Sequence, residues 1–186
     1  MTSSSAPAEH ALPEARIRGA FGTDLLVAID ATTDRLVVDV RYVLRNDGTT
    51  ALAVFDRGNV HDIGIGRQAL GGIGIPRQEP TGDDLTLVHA AMALPEPSPT
   101  SPPTPLAIEL APGATLAARF QTMVQADRMP KRLRWCVGVL PTSDVPLNSP
   151  QDTKDGRIWV ASFAAAERQQ RVCTPWYDVA RGAFEA

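Results

Sequence analysis

Residues 34–47, "DRLVVDVRYVLRND", alternate apolar and polar side chains and carry the strongest periodic signal in the chain. A period of two places successive side chains on opposite faces of an extended strand. The stretch therefore predicts a long strand with one buried face. That face would hold Leu36, Val38, Val40, Tyr42 and Leu44, and the other face Arg35, Val37, Asp39, Arg41, Val43 and Arg45.

Shorter stretches with strand composition lie on both sides of this segment, separated by turn signals such as "NDGTTA" (46–51) and "APGAT" (111–115). Short strands alternating with turns predict an all-β protein, an antiparallel β-sandwich of about seven to nine strands. Residues 160–171 fit a strand that runs into a helical turn as well as a helix, and stay open. The candidate strands are 15–21, 24–30, 34–47, 51–58, 85–94, 106–110, 115–124, 132–140 and 157–163.

The chain has 186 residues and a net charge of −3. This length suits one domain with its own core, and we predict a single sandwich domain over 15–186 after a disordered leader, 1–14. The charge gives no basic surface for nucleic acid. No apolar run reaches the roughly 18 residues that a membrane helix needs, so no membrane insertion is predicted.

The first residues lack the basic start and apolar block of a signal peptide, which predicts a cytoplasmic protein. A trimmed mature chain that is periplasmic or secreted is the alternative. Cys136 and Cys173 match no zinc or redox motif, and in the cytoplasm both would be reduced. In an exported chain they could form an internal disulfide that ties a core strand to the C-terminal tail.

Residues 62–76, "DIGIGRQALGGIGIP", contain five glycines in fifteen residues. The stretch lacks the lysine of a phosphate-binding loop and the glycine spacing of a dinucleotide fingerprint, so no cofactor is predicted. Ile alternates with Gly in two arms around "RQALG", which predicts a Gly-rich hairpin with Ile63, Ile65, Ile73 and Ile75 on one face. Arg67 and Gln68 at its tip are candidate partner-binding residues.

Residues 94–106, "LPEPSPTSPPTPL", contain six prolines in thirteen residues and predict an extended, polyproline-like segment. We interpret this Pro-rich crossing as a rigid strap from one sheet to the other. Its two PxxP matches leave a ligand for an SH3-like or WW-like domain as the alternative.

Catalytic and metal-binding patterns are weak. Neighbouring His61 and Asp62 would point to opposite faces of a strand, and no "GxSxG" nucleophile motif occurs. His89 and Met92 would also lie on opposite faces, which does not favour a copper site. We therefore predict no enzyme and no metal site. Trp135 is a candidate for the large central core residue, and Trp176 with Tyr177 form an aromatic pair that either docks onto the domain or binds a partner.

The stretches "VRYVLRNDGTTALAVFDRG", "LAPGATL" and "RLRWCVGVL" resemble segments of uncharacterised bacterial immunoglobulin-like β-sandwich proteins. More loosely, they are similar to BsuPI-type proteinase inhibitors and CARDB-type domains. The resemblance implies an immunoglobulin-like sandwich and carries no catalytic residues. We expect a non-catalytic module for protein binding or assembly in a bacterium, with an unknown protein partner and oligomeric state. A proteinase inhibitor and an enzyme of unrecognised type are the alternatives.

Overall fold

Two β-sheets pack face to face in the computed structural model, which describes residues 12–186. The strands are β1 (Glu14–Arg18), β2 (Thr23–Thr32), β3 (Val37–Asn46), β4 (Leu52–Val54), β5 (Arg77–Thr81), β6 (Asp84–His89), β7 (Leu106–Leu110), β8 (Thr115–Met123), β9 (Arg132–Pro141), β10 (Leu147–Thr153), β11 (Gly156–Ala161), β12 (Gln170–Cys173), β13 (Tyr177–Asp178) and β14 (Ala183–Phe184). Short helices α1 (Val60–Gly64) and α2 (Ala165–Arg168) and 3-10 turns at Ala20–Gly22 and Thr142–Asp144 complete the described elements.

The smaller sheet has four strands in the order β1-β2-β3-β8, all antiparallel. Within β3, the side chains of Val38, Val40, Tyr42 and Leu44 are buried, while Arg41, Val43 and Arg45 are exposed. The alternation predicted from residues 34–47 is therefore confirmed for the strand itself except at Asp39, which is buried and bonded by Arg119 of β8. Leu36 lies outside it, because its φ of 52° belongs to the turn that precedes β3.

The larger sheet has ten strands, and β9 is its central strand. β4 and β12 both pair with Val139 of β9, so they occupy opposite edges of that strand. β6 pairs with the first half of β9 in parallel orientation. The all-β sandwich predicted from the sequence is confirmed, whereas the expectation of wholly antiparallel pairing fails at this one strand pair.

The sequence did not predict five of the strands: β5, β10, β12, β13 and β14. They are short or polar, and β5 and β10 each contain a proline. Residues 160–171 contain the end of β11, the single turn of α2 and the start of β12, so of the two alternatives the strand that runs into a helical turn is the one that forms. β1 begins at Glu14, inside the predicted leader, and residues 1–11 of that leader lie outside the described residues.

Trp135 of β9 is fully buried in the core between the sheets. Its ring centroid lies 4.5 Å from that of Tyr42 and 5.7 Å from that of Phe120, both on the smaller sheet. The predicted central tryptophan thus joins the two layers. A smaller apolar cluster around Phe55, Leu140 and Ala161 covers the other face of the larger sheet.

The Pro-rich crossing connects β6 to β7, and both strands belong to the larger sheet. The predicted strap between the two sheets is therefore wrong, because the segment returns the chain to the sheet that it left. It bends at residues 96–97 and 100–101 and forms one isolated bridge, between Pro105 and Asn59.

The predicted Gly-rich hairpin over 62–76 does not form. Helix α1 and a series of turns replace it, because the Asn59 side chain accepts a hydrogen bond from the Asp62 N–H and caps the helix. Ile63 and Ile73 pack against the core, whereas Ile65 and Ile75 are more than half exposed, so the four isoleucines share no face. We call residues 58–76 the Gly-rich loop below.

Cys136 and Cys173 lie directly opposite each other on β9 and β12 and form a disulfide. The bond closes a loop with a sequence separation of 37 residues. The disulfide fixes Cys173, the last residue of β12, to the central strand.

Both helices of the described chain are of one turn, and neither has the length to span a membrane.

Replacing both cysteines by alanine (Cys136→Ala with Cys173→Ala) should lower the free energy of unfolding by about 4 kcal/mol, because the unfolded chain regains the freedom of the closed loop. Urea unfolding, followed by tryptophan fluorescence, measures this loss. Reductant should destabilise the wild type by a similar amount and leave the double variant unchanged. A loss below about 1 kcal/mol in the variant would contradict a stabilising disulfide.

Candidate binding surface

The Gly-rich loop begins four residues after β4 and is held by two side chains, Arg57 just before the loop and Gln68 within it. Arg57 is buried, and its Nη1 donates a hydrogen bond to the Gly71 carbonyl at 2.7 Å. Gln68 donates from Nε2 to the carbonyls of Arg57 (2.7 Å) and Gly72 (3.0 Å). Gln68, a candidate partner-binding residue, therefore points into its own loop. Arg67 is exposed and contacts Asp62 at 3.4 Å.

Asp56 and Arg57 form a buried ion pair below this loop. Asp56 Oδ1 lies 3.1 Å from Arg57 Nε, and the N–H is out of line for a hydrogen bond. The hydroxyl of Tyr42 donates to Asp56 Oδ2 at 2.5 Å. Burial raises the pKa of Asp56, while Arg57 and the Tyr42 hydroxyl oppose that rise. Burial and the carboxylate also raise the pKa of Tyr42 well above its ordinary value, which keeps its proton in place.

His89 links the loop to the core. The indole Nε1–H of Trp135 donates to His89 Nδ1 at 2.9 Å, and His89 Nε2 donates to the Gly74 carbonyl at 2.7 Å. These two bonds fix a neutral imidazole with its proton on Nε2. Burial lowers the pKa of His89 to about 4, with Arg57 adding to the shift and the Gly74 bond opposing it.

Gly74 is the point where the loop meets β4. Its N–H donates to the Asp56 carbonyl, and its own carbonyl accepts from His89. A Cβ at this position would lie 2.6 Å from backbone atoms of Gly58, so the contact requires glycine. The loop is thus clamped at both of its ends and at Gly71, which makes it a fixed surface.

The outside of this clamped loop is apolar. Among residues 12–186, six of the nine exposed large hydrophobic side chains lie on the loop or between β6 and the first proline of the Pro-rich crossing: Val60, Ile65, Leu70, Ile75, Met92 and Leu94. Ile75 and Met92 line one shallow groove together with Pro103 and Pro105. Exposed apolar side chains concentrated in one region mark an interaction surface.

The Pro-rich crossing lies against the loop. The Val60 N–H donates to the Thr104 carbonyl at 2.9 Å, and Ser101 Oγ lies 3.2 Å from His61 Nδ1. Asp62 bonds to Asn59 and Arg67 rather than to His61, so these residues do not line up as a Ser-His-Asp triad. The crossing thus forms the second wall of the groove.

The two aromatic candidates near the C-terminus differ in exposure. Tyr177 is buried, packs 5.4 Å from Phe184 and pairs with Leu133, so it docks onto its own domain. Trp176 is half-buried, and the guanidinium carbons of Arg132 and Arg134 lie 5.1 and 4.4 Å from its ring centroid. Only Trp176 of this pair has a face near solvent.

A second cleft, of about 270 Å³, lies between the β5–β6 turn and the β8–β9 loop. Its charged groups already pair with one another, because Asp83 contacts both Arg128 and Lys131. Lys131 and Arg128 together lower the pKa of Asp83. The charged groups of this cleft are therefore already paired, although its volume exceeds the roughly 50 Å³ of the groove beside Ile75 and Met92.

Sequence reasoning missed Asp56, Arg57 and His89, the residues that build the site. Asp56 and Arg57 lie in the stretch "VFDRG", to which the resemblance assigns no role. A charged pair that directly follows the apolar run of β4 was the available signal, since buried charges need partners. No residue close to His89 in the sequence indicates that its side chain bonds to the Gly74 carbonyl.

His89→Gln should remove part of the acid sensitivity of the fold. The pKa of His89 is about 4 in the folded protein against 6.5 as its ordinary value, so the unfolded chain binds the extra proton in this interval. Folding stability is then complete above pH 6.5 and falls by about 3 kcal/mol as the pH drops to 4. Glutamine can accept from Trp135 and donate to Gly74 without titrating.

Urea unfolding of both proteins at pH 7 and pH 4.5 measures the difference. The raised pKa of Asp56 acts in the opposite direction in both proteins and therefore cancels in the comparison. An equal loss of stability in wild type and variant would show that His89 is not the titrating group.

Searches against protein-family models, curated proteins and solved structures found no significant match for the chain.

Proposed function

We propose that the protein is a non-catalytic binding module whose protein partner docks on the groove between the Gly-rich loop and the Pro-rich crossing. The observation that carries the proposal is the groove lined by the exposed apolar side chains of Ile75, on a loop clamped by buried polar groups, and Met92, on the segment that follows β6. A monomer gains nothing from exposing these side chains to water, whereas an interface buries them.

The rigidity of the loop supports this role. Arg57, Gln68 and His89 hold the backbone at Gly71, Gly72 and Gly74, so the loop loses little freedom when a partner binds. Preorganised surfaces bind more tightly because the ordering cost has been met during folding.

The position of Arg77 indicates which polar group the partner carries next to the groove. Its Nε is buried beside the groove and has no hydrogen-bond partner among the described residues, while its Nη2 contacts Glu79. Arg171 contacts the same Glu79 at 3.3 Å, so one carboxylate serves two guanidinium groups. A partner that places an acceptor oxygen on Arg77 beside an apolar side chain in the groove fits this arrangement.

Charge placed in the groove should abolish binding. The protein and its Ile75→Glu and Met92→Glu variants are used as baits in the source organism, and bound proteins are quantified by mass spectrometry. We expect at least one protein to be retained by the wild type and reduced about tenfold or more by either variant, since a buried unpaired charge costs several kcal/mol.

Val43→Glu is the matched control, because Val43 is 38% exposed on the outer face of the smaller sheet. It should retain the same protein. If every retained protein survives both groove substitutions, or disappears equally with the control, the groove is not the binding site.

We also propose that the chain functions in an oxidising compartment, the periplasmic or secreted alternative to the cytoplasmic prediction. The supporting observation is the disulfide between Cys136 and Cys173, since thiols stay reduced in the cytoplasm. Protein purified from the source organism without reductant, with free thiols blocked at lysis, should titrate no free thiol after denaturation. Two free thiols would contradict the proposal.

A further inference from the structure

Most sheet edges of the described chain carry features that prevent pairing with another strand. β10 contains Pro150 and a register shift after Asn148, and β5 contains Pro80. β1 has three charged side chains in five residues, while β12 and β14 have four and two residues. Prolines, bulges, charges and short length are the usual protection of an edge.

β8 lacks this protection. It is an edge strand of nine residues without proline, and it pairs with β3 in unbroken register from Thr115 to Met123. An unprotected edge of this length offers its free backbone groups to another strand. Its charged side chain, Arg119, is already held by Asp39 of the neighbouring strand.

The hydrogen bonds at the end of β8 show which backbone groups are free. The Val124 N–H donates toward β3, to the Leu36 carbonyl, whereas the Met123 carbonyl accepts from Gln78 on the outer side. Backbone groups alternate in direction along a strand. Thr115, Ala117, Arg119 and Gln121 therefore direct their N–H and C=O groups away from β3.

Gln78 of β5 already occupies the last outward position. Its side-chain amide donates to the Met123 carbonyl at 2.7 Å and accepts from the Gln125 N–H at 2.9 Å. These are the two bonds that a neighbouring backbone would make. The free part of the edge is therefore residues 115–121.

We propose that β8 pairs with β8 of a second copy of this chain, antiparallel around a two-fold axis at Ala118, to form a continuous eight-stranded sheet across a homodimer. In this register Ala117 lies opposite Arg119 of the second copy, and Thr115 opposite Gln121. On the inner face Leu116 lies opposite Phe120, which extends the apolar layer. Every free outward group is paired.

The neighbouring registers fit less well. A two-fold axis at Arg119 places two arginines directly opposite each other, which like charges disfavour. An axis at Phe120 pairs Ala117 with Met123, whose carbonyl is already bonded to Gln78. An axis at Ala117 places Gln121 opposite Gly113, which lies outside β8 and donates its N–H to Asn46 of β3, so the outward groups of Gln121 stay unpaired. The axis at Ala118 is therefore the one that pairs every free group, and this self-complementarity identifies a second copy as the occupant.

The mass in solution tests the dimer. Sedimentation equilibrium should give twice the chain mass of 19.9 kDa at micromolar concentration. A single species of 19.9 kDa at every concentration up to about 100 µM, where even weak complexes form, would overturn the proposal.

A pair of opposite charges at Ala117 tests the register. Ala117 is exposed, so both substitutions leave the fold intact. Ala117→Glu faces Arg119 of the second copy twice per dimer and should tighten dimerisation, while Ala117→Lys should weaken it, each by about tenfold in Kd. Val43→Glu and Val43→Lys, on the inner strand β3 of the same sheet face, are the matched controls and should leave Kd unchanged.

Ala117→Pro tests the backbone contact. It removes an N–H that points away from β3, so the β3–β8 pairing should persist, as circular dichroism and urea unfolding would show. We expect a folded monomer. A folded Ala117→Pro dimer, or equal effects of glutamate and lysine at Ala117, would place the dimer contact elsewhere and refute the proposal.

Discussion

The hydrogen bonds from Trp135 to His89 and from His89 to Gly74 are the interaction on which the candidate surface depends. Trp135 joins the two sheets at the centre of the core, and His89 connects the indole of Trp135 to the loop backbone at Gly74. A hydrocarbon at position 89 would leave the indole N–H and the Gly74 carbonyl unpaired in a buried place, which costs about 1–3 kcal/mol for each group. A neutral imidazole satisfies both, and its burial keeps it neutral.

The buried pair of Asp56 and Arg57 shows that buried charged groups, like buried polar groups, need bonding partners. An isolated buried charge is too costly to keep, so each of these groups needs partners with fixed geometry. Tyr42 supplies one partner from the smaller sheet, and the Gly71 carbonyl supplies another from the loop. Moving the loop would leave the Arg57 guanidinium short of an acceptor, which is why a glycine-rich segment behaves as a rigid element here.

The alternation of apolar and polar residues predicts the strands, whereas side-chain hydrogen bonds decide the structure of the Gly-rich loop. Alternation identified β3 because one face of that strand is buried along its length, and the same signal located most strands of both sheets. The isoleucine and glycine alternation of residues 62–76 has the same period, yet a helix cap at Asn59 and bonds from Arg57 and His89 decide that structure. Asn59 and Arg57 are close in sequence, but the bonds that their side chains make are not visible in the alternation, and His89 comes from β6, outside any window around the loop. Arg67 and Gln68 looked accessible for the same reason, although Gln68 folds back on its own backbone.

The groove and the proposed dimer edge meet at one residue. His89 contacts the ring of Phe120 in β8 edge-on, at 4.7 Å between centroids, and holds Gly74 of the loop through Nε2. Coupling between two sites requires an element with two arrangements that both sites bias. His89 has both ring nitrogens bonded and its ring packed against Phe120, so it has no second arrangement to offer. Because this shared support is rigid, partner binding at the groove and pairing at β8 should contribute independently to assembly, and their free energies should add.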